Sequence, residues 1–276
     1  MKIGVFDSGY GGLTILSKIR RHLPSYDYIY LGDNARAPYG SRSFDVIYRY
    51  TLQAVRHLEQ MGCRLIILAC NTASAKALRT IQQHDIDPNR LRVLGVIRPT
   101  VEAVPDCRHI GVLATQGTIQ SMSYVLELQK QFALQHPISI TQQACPMWVP
   151  LIESNEHHSA GADFFVDKYL SLLFHQNPHI ETLILACTHY PLLLPQIRQW
   201  LGARDVRIIA QGDIVANSLA TYLERHTDIA QDLSQSGTCL YLTTEAADKF
   251  ADSASIFLQD MVQAHHVELA EDMDRY

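Results

Sequence analysis

The sequence predicts an α/β protein made of two similar halves, each built on a parallel sheet, and three observations lead there. Short runs rich in Ile, Val, Leu and Tyr alternate with longer segments whose apolar residues recur every three or four positions. The chain also repeats itself: LIILACNTASAKAL at 65–78 matches LILACTHYPLLL at 183–194, and IGVFDSGYGG at 3–12 echoes IGVLATQGT at 110–118. With 276 residues, 47% of them hydrophobic and 18% charged, there is material for two cores. Chains near this length bury about 75% of their unfolded surface and often divide into two units.

Taken in order, the candidate strands are KIGVF, YDYIYLG, CRLIILAC, RVLGVI, HIGVLAT, ISITQQAC, TLILAC, VRIIA and TCLYLTT. Each ends in a turn or polar loop, and most read as strands buried on both faces. A first helix over 11–22 places Leu13, Leu16 and Ile19 on one face before Pro24 ends it. Ser43 precedes a second helix, whose Ile47, Leu52, Val55 and Leu58 form a stripe stopped by Gly62. Between the second strand and that helix, NARAPYGSRS has no apolar period and carries Pro38 and Gly40 as breakers. It reads as a surface loop with room for function.

Charge and composition exclude several classes. Lys plus Arg number 23 against 28 Asp plus Glu, a net charge of −5, with no block of like charge long enough to follow a phosphate backbone. Nucleic-acid binding is disfavoured. Apolar stretches such as LIILAC are about a third of the length that spans a bilayer, and MKIGVFDSGYGG lacks a signal-peptide core, so a cytoplasmic protein without membrane attachment is expected. Six cysteines at 63, 70, 107, 145, 187 and 239 form no C-x-x-C pair and are expected as reduced thiols, four of them plain core residues. Adjacent His157 and His158 are in poor register for one metal, so a solvated loop and no metal site are expected there.

The other two cysteines stand out by their context. Cys70 and Cys187 each follow Ala at the carboxyl end of a strand, the edge where open α/β sheets place ligands. An Ala-Cys met once reads as a buried structural thiol, but the same context met twice favours a pair of thiols facing one ligand. Each is expected near a helix start, where N–H groups and the helix dipole lower a thiol pKa. Two thiols on opposite sides of a carbon suit one reaction: one removes a proton and the other returns a proton to the opposite face. Asp7 and Ser8 after the first strand, Asn71 and Thr72 after Cys70, and Thr115 and Thr118 in the echoing turn supply polar groups. Each of these, alone, is as readily a cap or turn former. His189 is a proton partner for Cys187 or a core histidine bonded to backbone.

The runs GVFDSGYGGLTIL, YLGDNARAPYGSRS, LACNTASA, GVLATQGTIQS, ACPMWVPLIE and LACTHYPLLLPQI, in this order over most of the chain, resemble the glutamate racemases. These are cofactor-independent enzymes of the aspartate/glutamate racemase superfamily. The resemblance implies interconversion of L- and D-glutamate, D-glutamate being supplied to peptidoglycan. It implies that Cys70 takes the α-proton from D-glutamate and Cys187 from L-glutamate. By the same resemblance Asp7 is expected to assist Cys70, and Glu153 and His189 to assist near Cys187. Substrate contacts carried over are Asp7, Ser8, Tyr39, Gly40, Asn71, Thr72, Thr188 and His189, with Thr115 and Thr118 added. The implied fold is two pseudosymmetric parallel-sheet α/β domains with the site in the cleft between them: 1–97 completed by 207–276, and 98–206. No cofactor is implied, glutamate is the small-molecule partner, and the oligomeric state is left open, a homodimer included.

Departures from the family pattern are Asn34 where Thr is usual, Trp148 where Phe is usual, AQGD at 210–213 and TTEAADKF at 243–250. Arg98 is also unexpected and reads as a solvated surface residue. Three other readings compete. A dinucleotide enzyme fails because the glycine spacing from Gly9 places Thr14 at the third glycine and Asp7 where a pyrophosphate would lie. A non-catalytic two-lobed binder has no need of a cysteine on each side. An aspartate racemase is the nearest rival, and Thr-His after the second cysteine points by resemblance to glutamate.

Overall fold

The computed structural model describes residues 1–258 and 260–270. Its strands are β1 (Lys2–Asp7), β2 (Tyr28–Gly32), β3 (Cys63–Leu68), β4 (Arg92–Gly95), β5 (His109–Ala114), β6 (Ser139–Ala144), β7 (Thr182–Ala186), β8 (Arg207–Ile209), β9 (Cys239–Thr243) and β10 (Ala264–His266). They form a six-stranded sheet in the order β10-β9-β2-β1-β3-β4 and a four-stranded sheet in the order β6-β5-β7-β8. Every pairing is parallel. The protein is thus α/β with two parallel sheets, and the internal echo becomes topology: β2-β1-β3-β4 has the same order as β6-β5-β7-β8. β3 and β7, the strands that lead into Cys70 and Cys187, occupy equivalent places.

The central strands of each sheet are covered on both faces, as the apolar runs require. Because successive side chains in a strand point to opposite faces, Leu65 and Ile67 enter one core cluster while Ile66 and Leu68 enter another. On the second sheet Leu183 and Leu185 join the first cluster, and Ile184 and Ala186 a third. The first cluster holds Ile3 and Val5 of one sheet together with Leu113 and Leu185 of the other, so one continuous core joins the two. Each fully buried Leu or Ile contributes roughly 1.5–3 kcal/mol relative to an exposed one.

The two expected helices form at Gly12–His22 and Phe44–Gln60, and Ser43 caps the second, its hydroxyl accepting from the Val46 N–H at 3.4 Å. Ile47, Leu52, Val55 and Leu58 are all buried, and Gly62 takes a φ of +86° just past the helix end. That left-handed value is natural only for glycine.

The structure corrects or refines four expectations. β6 is an edge strand with no fully buried residue, so it is not covered on both faces. RVLGVI stops being a strand after Gly95, and the helix Ile97–Glu102 takes its last residue. His157 is buried rather than solvated and meets His158 in a tilted ring contact at 4.1 Å between centroids. The segment after β2 is a surface loop with a 3-10 turn at Asn34–Arg36, but it turns one residue inward, Tyr39, which is only 1% exposed.

Strand pairing bears on the expected divisions at 97/98 and 206/207. β8 pairs with β7, so 207–209 belong with the second sheet, while β9 pairs with β2 and returns the later chain to the first. We therefore draw the second division after Ile209. The helix Gln211–Arg225, which follows, packs on Gly12–His22 of the first unit. Arg98 is exposed and pairs with Glu102 one helical turn away, as a solvated residue would.

Candidate active site

The carboxyl ends of β1, β3, β5 and β7 and the loop after β2 converge on one cavity of about 100 Å³. Cys70 and Cys187 both line it, so the paired thiols face one space.

On the first side, Cys70 is the N-cap of the helix Asn71–Lys76, and its sulfur accepts from the Ala73 N–H at 3.5 Å. Ser8 Oγ lies 3.3 Å from the same sulfur. These contacts and the helix end favour a thiolate. The thiol pKa is nevertheless pushed up to about 12, by burial first and then by the charge of Asp7, with the Ser8 and Ala73 hydrogen bonds opposing. The expected lowering is overturned because desolvation outweighs the end of a six-residue helix. Asp7 does not line the cavity itself; it lies directly behind, accepting from the Gly9 N–H at 2.9 Å and from Thr188 Oγ1 at 3.4 Å. Burial raises its pKa, against the pull of His189 and of the Gly9 and Gly12 N–H groups.

Around Cys187 the arrangement is different. No α-helix starts at this thiol: a 3-10 turn, Tyr190–Leu193, comes first, and the helix begins only at Leu194. A histidine takes the place of the helix end. His189 Nδ1 is 3.8 Å from Cys187 Sγ, and its Nε2 is 3.0 Å from Glu153 Oε1. Burial acts to lower the His189 pKa, but its hydrogen bonds to Cys187 and Glu153 and their charges prevail and hold it well above the usual value. His189 thus bridges thiol and carboxylate, and the alternative of a core histidine bonded to backbone is set aside. Losing a neighbouring negative charge destabilises the imidazolium, so Glu153→Gln is expected to lower the His189 pKa. Ring-proton NMR titration of wild type and variant measures this, and an unmoved titration would break the assigned link.

The remaining expected residues fall into two groups. Ser8, Tyr39, Gly40, Asn71, Thr72, Thr115 and Thr188 line the cavity, whereas Thr118 sits behind it. The hydroxyls of Thr72, Thr115 and Thr118 form a triangle with sides of 2.9, 3.3 and 3.1 Å that ties the turn after β3 to the turn after β5. Gly40 O accepts from the Gly117 N–H at 2.7 Å, which fixes the loop after β2 to the same place. Tyr39 turns its hydroxyl to buried Asp33, which also accepts from Arg36 Nε and from Thr244 Oγ1 at 2.8 Å. The phenol is therefore held by protein, and the loop offers the cavity its ring and backbone. Asn34 Oδ1 accepts from Thr243 Oγ1 at 3.1 Å, which joins this loop to β9.

Sequence reasoning missed several wall residues. Cys145, expected in the core, lines the cavity with Pro38, Gln116 and Val149. Its S–H is turned to Gln143 O at 3.6 Å, and burial keeps its pKa well above the ordinary thiol value. It is a wall atom in thiol form. The echo of 3–12 at 110–118 placed Thr115 correctly; the signal passed over for Cys145 is that it too follows Ala at a strand end, Ala144 of the edge strand β6, as Cys70 and Cys187 follow theirs.

A model of the Asp/Glu/Hydantoin racemase family matches residues 4–219. The chain belongs to that family. Within it, the chain is 38% identical over 275 residues to the glutamate racemase of Ruegeria pomeroyi, covering 95% of this chain and 98% of the relative. Among solved structures, glutamate racemase isoform RacE1 from Bacillus anthracis superposes with a TM-score of 0.87 at 35% identity, over 97% of each chain. Glutamate racemase from Francisella tularensis in complex with D-glutamate superposes with a TM-score of 0.86 at 32% identity, over 98% of each chain. The racemase family thus accounts for the two-sheet architecture around the cavity.

Proposed function

We propose that the protein is a glutamate racemase: an isomerase that interconverts L- and D-glutamate without a cofactor and supplies D-glutamate for peptidoglycan. The observation that supports it best is the presence of two thiols, from equivalent strand ends of a duplicated fold, in the wall of one cavity. From L-glutamate, the Cys187 thiolate takes the α-hydrogen as a proton, leaving the electron pair on Cα. The Cys70 thiol then gives its proton to the opposite face, ending as thiolate. D-glutamate follows the reverse path.

In this reading the charges around each thiol have distinct tasks. Cys70, with its pKa pushed up to about 12, rests as the acid, ready to protonate. The ammonium group of the amino acid, near Asp7 and Ser8, supplies the positive charge that lowers this pKa when Cys70 must act as base. His189, positive between Glu153 and Cys187, stabilises a thiolate at Cys187. Thr72, Thr115, Thr188 and the Tyr39–Gly40 backbone bind the carboxylates. The reaction belongs to the cytoplasm, where all six cysteines remain free thiols.

Chiral chromatography on L-glutamate and L-aspartate with no added cofactor tests the assignment. Glutamate is expected to racemise and aspartate to stay unchanged. In D₂O, inverted glutamate should carry deuterium at Cα. Racemisation of aspartate in place of glutamate would move the chain to the rival specificity, and inversion without solvent label would remove the thiols as exchanging bases.

A further inference from the structure

The AQGD segment, one of the departures from the family pattern, lies directly behind the site. Gln211 is the first residue of the helix Gln211–Arg225 and is 1% exposed. Its Nε2 is 2.8 Å from Thr100 Oγ1, 2.9 Å from Tyr124 Oη and 3.1 Å from Asn71 Oδ1. Asn71 Nδ2 in turn donates to Gln211 Oε1 at 2.6 Å, and the Tyr124 hydroxyl donates to Asn71 Oδ1 at 2.7 Å. All four side chains are buried, and they come from four different helices.

Counting donors gives this cluster a direction. The Thr100 hydroxyl has one proton, and it goes to Val96 O at 2.6 Å. Thr100 is then an acceptor toward Gln211, so the NH₂ end of Gln211 faces Thr100 and Tyr124 and its carbonyl faces Asn71. The two Gln211 protons go to the two nearer oxygens. Asn71 is left with its carbonyl filled by Tyr124, one N–H filled by Gln211, and one N–H remaining, on a residue that lines the cavity. The backbone carbonyl of Val96 thus sets the polarity of the Asn71 amide, acting through Thr100 and Gln211 in turn.

We propose that Gln211 is a positioning residue that fixes which end of the Asn71 amide reaches the cavity, so that the site presents an N–H donor to a substrate carboxylate oxygen. This rests on the glutamate racemase reading above. Without the relay, the amide is free to rotate by half a turn and oppose an anion with its own carbonyl oxygen. Tyr124 does not prevent this, because a phenol accepts as well as donates.

A double-mutant cycle in glutamate racemisation tests the relay, since residues that act through one another give non-additive effects. Gln211→Leu is expected to lower kcat/KM by roughly 10-fold or more, mostly through KM, when Asn71 is present. In an Asn71→Ala background the same change is expected to have an effect of about 2-fold or less. Thr100→Val, which removes the acceptor that orients Gln211, should repeat the loss in milder form, and Thr100→Ser should restore it. A merely structural Gln211 would give equal losses in both backgrounds, and that result, or an unaffected Gln211→Leu, overturns the inference. Should Gln211→Leu fail to fold, the Thr100→Val and Asn71→Ala cycle decides on the same criterion. Wild-type protein inactive on glutamate would overturn the functional reading and this inference together; active wild type with additive losses overturns the inference alone.

Discussion

Replacing Cys70 or Cys187 with serine is expected to lower kcat/KM for racemisation in both directions by roughly 10³-fold or more, about 4 kcal/mol of barrier at about 1.36 kcal/mol per decade. A serine hydroxyl is a far weaker acid than a thiol, so the variant has neither base nor acid on that face. The two losses should differ in kind. With Cys187 intact, Cys70→Ser should still exchange the α-proton of L-glutamate with D₂O slowly and without inversion, whereas Cys187→Ser should do so with D-glutamate. Deuterium incorporation by mass spectrometry, enantiomer by enantiomer, separates them. Near-normal racemisation by either variant would end the two-thiol mechanism.

Gly11→Ala is expected to be nearly as damaging for a steric reason. A Cβ at Gly11 would lie 2.2 Å from Thr188 Oγ1 and 2.4 Å from His189 Nδ1, well inside contact distance. The Gly11 backbone is ordinary right-handed helical, φ −57° and ψ −35°, so alanine strains nothing in the chain itself. The clash falls on His189, which has little room to yield between Glu153 and Cys187. Turnover should fall by about 100-fold and stability by about 1–3 kcal/mol, the usual range for overpacking. Gly161→Ala is the control: its Cβ would meet only Ser159 Oγ, at 3.4 Å, and folding and activity should be kept. Equal behaviour of the two variants in assay and thermal melt would remove the steric explanation.

The sheets were legible in the sequence because parallel strands covered on both faces must be apolar throughout, and the repeat fixed which strands are equivalent. Three-residue β10 lies below what any apolar pattern marks, and its place beside β9 depends on the chain's return. At the site, the polar residues after β1, β3, β5 and β7 were readable from strand ends alone. Burial was not. The Cys70 pKa is raised, not lowered, because folding buries the thiol and, second, brings the charge of Asp7, 63 residues away in the chain, close behind it. Tyr39 was placed at the site by resemblance and Asn71 by its strand end, but their partners, Asp33 for one and Gln211 for the other, come from tertiary packing. Gln211 itself had registered only as an irregular motif.

The return of β9 to pair with β2 has a consequence for biogenesis. During synthesis the edge of β2 stays uncapped until the whole four-stranded sheet has left the ribosome, since 206 residues separate Gly32 from Cys239. An open parallel edge invites mispairing with other chains. The nascent protein is therefore most vulnerable to aggregation late in translation, and a chaperone that shields β2 would act in that interval.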